Sequence, residues 1–127
     1  MSHASTILCI DDEAQILSLR KQLLEAHGFK VLTAPSGREG LRLLAEGHAV
    51  DLVLLDYMMP GMTGDRIAAE VKRLYPRLPI VVMSGFPDLP KALLTIADGY
   101  VRKGQDPEFV IGAITSALAS KAQPLDP

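Results

Sequence analysis

The 127-residue chain has a single cysteine, no tryptophan, and only three tyrosines and three phenylalanines. One cysteine rules out an internal disulfide and a thiolate metal cluster, and the apolar setting of Cys9 predicts a buried, inert thiol. His3, His27 and His48 follow no metal-ligand spacing. No apolar run approaches the roughly 18 residues that a membrane-spanning helix needs. The N-terminus lacks the charged-then-apolar pattern of an export signal, so a cytoplasmic location is expected. Thirteen basic and fifteen acidic residues, interspersed for a net charge of -2, leave no cationic footprint for nucleic acid or for a membrane surface. No glycine-rich or Ser/Thr-rich phosphate loop follows the first apolar segment, which argues against a flavodoxin-like cofactor carrier. Internal repeats and low-complexity segments are also missing.

What the chain does have is apolar content, 48% of residues, delivered in short runs. The stretch from Asp51 to Gly61 is the most informative. Leu52-Val53-Leu54-Leu55 is too short for a buried helix and reads as a strand covered on both faces. It stops on Asp56, before a Met58-Met59-Pro60-Gly61 loop. Thr6 to Ile10 reads as a first strand, ending on the pair Asp11-Asp12. Lys30 to Ala34 is a second, Ile80 to Met83 a fourth that ends on Ser84, and Tyr100-Val101-Arg102 a fifth with Lys103 at its end.

Helices are predicted between these strands. Glu13 to His27 carries Ile16, Leu19 and Leu23 at helical spacing. Ser36-Gly37-Arg38-Glu39 fits a capping box for a second helix running to about Glu46, with Leu41 and Leu44 inward. Ile67, Ala68, Val71 and Leu74 form the stripe of a third, stopped before Pro76. Asp88 is the expected cap of a short fourth helix with Leu89, Leu93 and Ile96 inward. Asp106-Pro107 begins a last helix through Ala119, burying Phe109, Ala113, Ile114 and Ala117.

Five strands alternating with five helices form a doubly wound α/β domain with a parallel sheet, because right-handed crossovers place helices on both faces. The flavodoxin-like order 2-1-3-4-5 is expected, with one domain over 1–121 and a frayed tail over 122–127. In that order strands one and three are neighbours, and their carboxyl ends flank the switch point where such folds bind ligands. Asp11, Asp12 and Asp56 then converge, with Ser84 and Lys103 opposite. Three converging carboxylates repel unless a cation holds them or some are protonated. An all-oxygen set suits magnesium, or manganese, better than zinc. Such an ion neutralises a transferring phosphoryl group, Lys103 pairs with its remaining charge, and Asp56 is left as the nucleophile. Alone, Asp11 and Asp12 read equally as a turn and a helix cap.

Together these residues resemble the receiver domains of bacterial two-component response regulators, over Ile7 to Ala119. The resemblance rests on the acidic pair Asp11-Asp12, the Leu-Leu-Asp-Tyr-Met-Met-Pro-Gly segment around Asp56, Ser84, Tyr100 and Lys103, in order and on the expected elements. It implies that Asp56 accepts a phosphoryl group from a histidine kinase or phosphotransfer protein, with self-catalysed phosphorylation and dephosphorylation. It further implies that magnesium is held by Asp12, Asp56 and the Met58 carbonyl, with Asp11 acting through water. Ser84 and Tyr100 would be the switch residues, and helix four, strand five and helix five the output face toward a partner or a second copy.

Two departures stand out. Gly104 follows Lys103 where most of the family has a proline, and a trans Lys103-Gly104 bond is expected because a cis bond without proline costs about 3 kcal/mol. The segment from Ser84 to Lys103 is also short. Both favour an alternative, a phosphorylation-independent docking module that keeps the fold. Whether the chain acts alone or is part of a longer protein is left open.

Overall fold

A computed structural model describes residues 4–85 and 89–122. The described strands are β1 (Thr6–Ile10), β2 (Lys30–Ala34), β3 (Leu52–Asp56), β4 (Ile80–Ser84) and β5 (Gly99–Arg102). They alternate with α1 (Ala14–Ala26), α2 (Gly37–Ala45), α3 (Gly64–Leu74), α4 (Lys91–Ile96) and α5 (Pro107–Ala122). All strand pairs are parallel and the sheet order is β2-β1-β3-β4-β5, the flavodoxin-like arrangement expected.

Strand periodicity divides the core in two. Leu8, Ile10, Val53, Leu55, Ile80 and Val82 face α2, α3 and α4, meeting Leu44, Ile67, Ala68, Val71 and Leu93. The alternate residues Ile7, Cys9, Leu52, Leu54, Val81 and Met83 face α1 and α5, meeting Leu17, Leu24, Val110, Ile114 and Ala117. Every residue of β3 is buried, as a central parallel strand covered on both sides should be.

One helix face, that of α1, differs from the sequence reading by one residue. In α1 the buried stripe is Leu17 and Leu24, while Leu19 is 61% exposed and Ile16 and Leu23 are half-buried. One position is about 100° of helical rotation; the stripe Ile16-Leu19-Leu23 is apolar throughout, the inward stripe Leu17-Arg20-Leu24 carries a cation, and docking on the sheet selects the second. In α5, Ile114 and Ala117 are buried as expected, and the difference is confined to the start of the helix, where Val110 is buried and Phe109 is 55% exposed. Ala113 and Leu41 are half-buried. Leu74, the last residue of α3, is 46% exposed because the helix ends there. At α2, Ser36 Oγ accepts from the Glu39 amide at 3.1 Å, but the Glu39 carboxylate turns to Arg42 instead of reaching back. Only half of the capping box forms. Pro90 is the N-cap of α4, and Asp88, the expected cap, lies outside the described residues.

Candidate functional site

The site lies at the carboxyl ends of β1 and β3. Ile10 pairs with Leu55, so Asp11 and Asp56 each stand one residue beyond the last pair of β1 with β3. Both continue the series Ile7-Cys9 and Leu52-Leu54 and therefore lean toward the α1 and α5 face. Asp11 and Asp56 are each 1% exposed, and Asp12 is exposed at the lip. One carboxylate oxygen from each of the three lies within 4.8 Å of the others. The predicted convergence of Asp11, Asp12 and Asp56 is thus present.

Each buried carboxylate meets a cation. Arg20 Nη1 lies 2.8 Å from Asp11 Oδ2, and the Glu13 amide donates to Asp11 Oδ1 at 2.9 Å. Lys103 Nζ approaches Asp56 Oδ1 to 2.5 Å, yet this oxygen is buried with no well-directed hydrogen bond among the described residues. The contact is a charge pairing whose angle falls outside hydrogen-bond geometry. Burial pushes the Asp56 carboxyl above its ordinary value, Lys103 pulls the other way, and the negative charge of Asp11 pushes it up again. A buried acceptor oxygen lacking a directed partner, beside two more carboxylates, is the setting a hard divalent cation fits. The approach of these three oxygens to within 4.8 Å of one another would let Asp11, Asp12 and Asp56 hold such an ion.

The other predicted residues stand around this rim. Ser84 ends β4 and is 1% exposed, one position past Met83, which pairs with Asp56. Its carbonyl accepts from the Lys103 amide at 2.8 Å, and the Met83 carbonyl accepts from the Tyr57 amide at 3.0 Å. These backbone ties set the height of Lys103 and of the loop after Asp56. That loop folds back through a 2.8 Å bond from the Gly64 amide to the Tyr57 carbonyl. It buries Met59 and leaves the Met58 side chain 51% exposed. Tyr100 lies on β5 and is 37% exposed, turned away from the interior. No cis peptide occurs among the described residues, so Lys103-Gly104 is trans as expected, and Gly104 adopts φ +88°. Only glycine takes that left-handed turn without strain.

Comparison with known proteins agrees with this geometry. Residues 7–115 match the family model described as the response regulator receiver domain. The chain belongs to that family. Among curated relatives, the receiver is 33% identical to the transcriptional regulatory protein GlrR of Escherichia coli over 99% of this chain, but spans only 29% of that protein. A response regulator receiver domain from Clostridium thermocellum is 38% identical with a TM-score of 0.85, covering 92% of this chain and 96% of that one. The regulator TrrA from Thermotoga maritima, solved with magnesium and beryllofluoride, is 30% identical with a TM-score of 0.80, covering 89% and 98%. The fold is therefore that of a response regulator receiver domain in two-component signalling.

The sequence reading missed one member of the receiver's acidic pocket, Arg20. It stands with Leu17 and Leu24 at i, i+3 and i+7 on the inward stripe of α1. A cation on a buried stripe is the signal that was available, and choosing the Ile16-Leu19-Leu23 stripe concealed it. A cleft of 250 Å³ at the same rim is lined by Glu13, Ile16, Arg20, Met83, Lys103 and Gly104. A larger cavity of 410 Å³, lined by Leu44, His48, Val50, Tyr75 and Leu78 among others, lies near the opposite strand ends and touches none of the acidic residues.

Proposed function

We propose that this receiver takes a phosphoryl group onto Asp56 from a histidine kinase or a phosphotransfer protein. Magnesium, with manganese as a substitute, would be held by Asp11, Asp12, Asp56 and the Met58 carbonyl. The observation that carries this reading is Asp56 itself: a buried carboxylate ending the central strand, one oxygen lacking a directed hydrogen bond, set between two acidic residues and a lysine. The bound ion would offset the charge that accumulates on the phosphoryl oxygens. Asp56 supplies the attacking oxygen, forming the O–P bond of an acyl phosphate as the donor's P–N bond breaks. Lys103 moves from the carboxylate to a phosphoryl oxygen, and Ser84 donates its hydroxyl to another. The same groups then position water for hydrolysis, so the domain catalyses its own turnover without being a conventional enzyme.

Tyr100 would turn inward behind Ser84 and so report the site's state to α4, β5 and α5. That output face, for an unidentified partner or a second copy, is supported by exposed Leu94, Tyr100 and Phe109. A cytoplasmic location accords with the family, and no helix among the described residues is long and apolar enough to cross a membrane. We place the functional domain over residues 1–121.

Incubation with magnesium and acetyl phosphate should yield a labile adduct mapped by mass spectrometry to Asp56. An Asp56→Asn variant that labels as well as the parent would overturn the assignment. The left-handed Gly104 and the six-residue α4 favour a second reading, a docking module independent of phosphorylation. Partner binding that strengthens only after beryllofluoride treatment excludes it.

A further inference from the structure

We propose that Arg20 is a built-in counter-cation that competes with the divalent ion for Asp11, and so sets how much of the ion the site requires. The inference rests on the metal reading above. Both Asp11 oxygens are engaged, Oδ2 by Arg20 at 2.8 Å and Oδ1 by the Glu13 amide at 2.9 Å. Asp56 Oδ1, by contrast, lacks a directed hydrogen bond. Asp11 is therefore occupied, and its full charge reaches an ion only as Arg20 withdraws.

The two cations of the pocket are not equivalent. Lys103 is 37% exposed on a turn and swings to water on a flexible stem. Arg20 is 12% exposed and held on the inward stripe of α1 between Leu17 and Leu24. Its way out is the 250 Å³ cleft, whose wall also carries Glu13. A guanidinium displaced into the cleft would find the charge of Glu13 on the same wall. With Arg20 in place, three carboxylates face two positive charges, of which only that of Arg20 is held in the interior. An incoming dication thus meets less attraction than the acidic cluster alone would exert, and must displace a charge-assisted pair.

The test is manganese binding to metal-free protein followed by electron paramagnetic resonance, with magnesium calorimetry alongside. Arg20→Gln should bind either ion about tenfold more tightly than the parent, and Arg20→Lys should stay close to the parent. In an Asp11→Asn background, where no carboxylate is left buried and unpaired, Arg20→Gln should add little, because the effect acts through Asp11. Unchanged or weaker binding by Arg20→Gln overturns the proposal, as does an undiminished gain in the Asp11→Asn background. Failure of the parent and every variant to bind either ion brings down the metal reading itself. Binding by the parent with no gain in Arg20→Gln removes Arg20's role alone.

Discussion

At Asp56 the needs of chemistry and of stability oppose each other. Burial raises its carboxyl above the ordinary value of 3.8, Lys103 offsets part of that rise, and Asp11 adds to it. A folded-state value above the unfolded one means the native protein binds the proton more tightly, so the ionised group costs stability as pH rises through the folded value. Asp56→Asn should therefore melt at a higher temperature than the parent at pH 7 in metal-free buffer. The advantage should fade as pH falls from the raised folded value toward 3.8, as thermal melts across that window will register. Cys9 behaves differently, because burial pushes its thiol up to about 12, against a smaller lowering by Arg20. It should resist alkylation at pH 8 in the native protein and react fully once denatured, measured by mass.

At the scale of elements, the loop from Tyr57 to Thr63 depends on the first residue of α3. A Cβ on Gly64 would lie 2.7 Å from the Tyr57 Cα and 3.1 Å from its carbonyl oxygen. Backbone yields less readily than a flexible side chain, so Gly64→Ala should push the loop and its Met58 carbonyl away from Asp56. A loss of about 1 to 3 kcal/mol in denaturant unfolding is expected, with weaker magnesium binding in the same variant. The start of β5 is pinned from outside the site: Asp98 Oδ2 accepts from the Ile80 amide at 2.8 Å and from Lys72 Nζ at 2.9 Å. Beyond it, Gly104 at φ +88° excludes the proline common in the family, since proline is confined near φ -65°. Gly104→Pro should consequently lower the melting temperature and disturb the Lys103 to Asp56 contact instead of restoring a family-typical loop.

For the whole molecule, the proposed ion at the acidic rim would make folding and ion binding a linked equilibrium. An ion that binds only the native state, at a hundredfold excess over its dissociation constant, adds about 2.7 kcal/mol. Magnesium should accordingly raise the melting temperature, and Asp12→Ala should abolish that rise while leaving the metal-free midpoint near the parent's, Asp12 being exposed. Legible in the chain alone were the alternation of strands and helices, the parallel sheet and its order, and the meeting of Asp11, Asp12 and Asp56. The alternation follows from local signals, continuous apolar runs and breakers, whereas the order and the meeting of the carboxylates followed from choosing the flavodoxin-like arrangement, in which strands one and three are neighbours. Left to the fold were the rotation of α1, which puts Leu17, Arg20 and Leu24 inward, and the first turn of α5, where Val110 is buried and Phe109 exposed. Only docking against Ile7, Cys9, Leu52 and Leu54 selects which of two adjacent stripes faces the core. Arg20's contact with Asp11 belongs to the same class, because it joins a helix to a strand end through an orientation that no local spacing encodes.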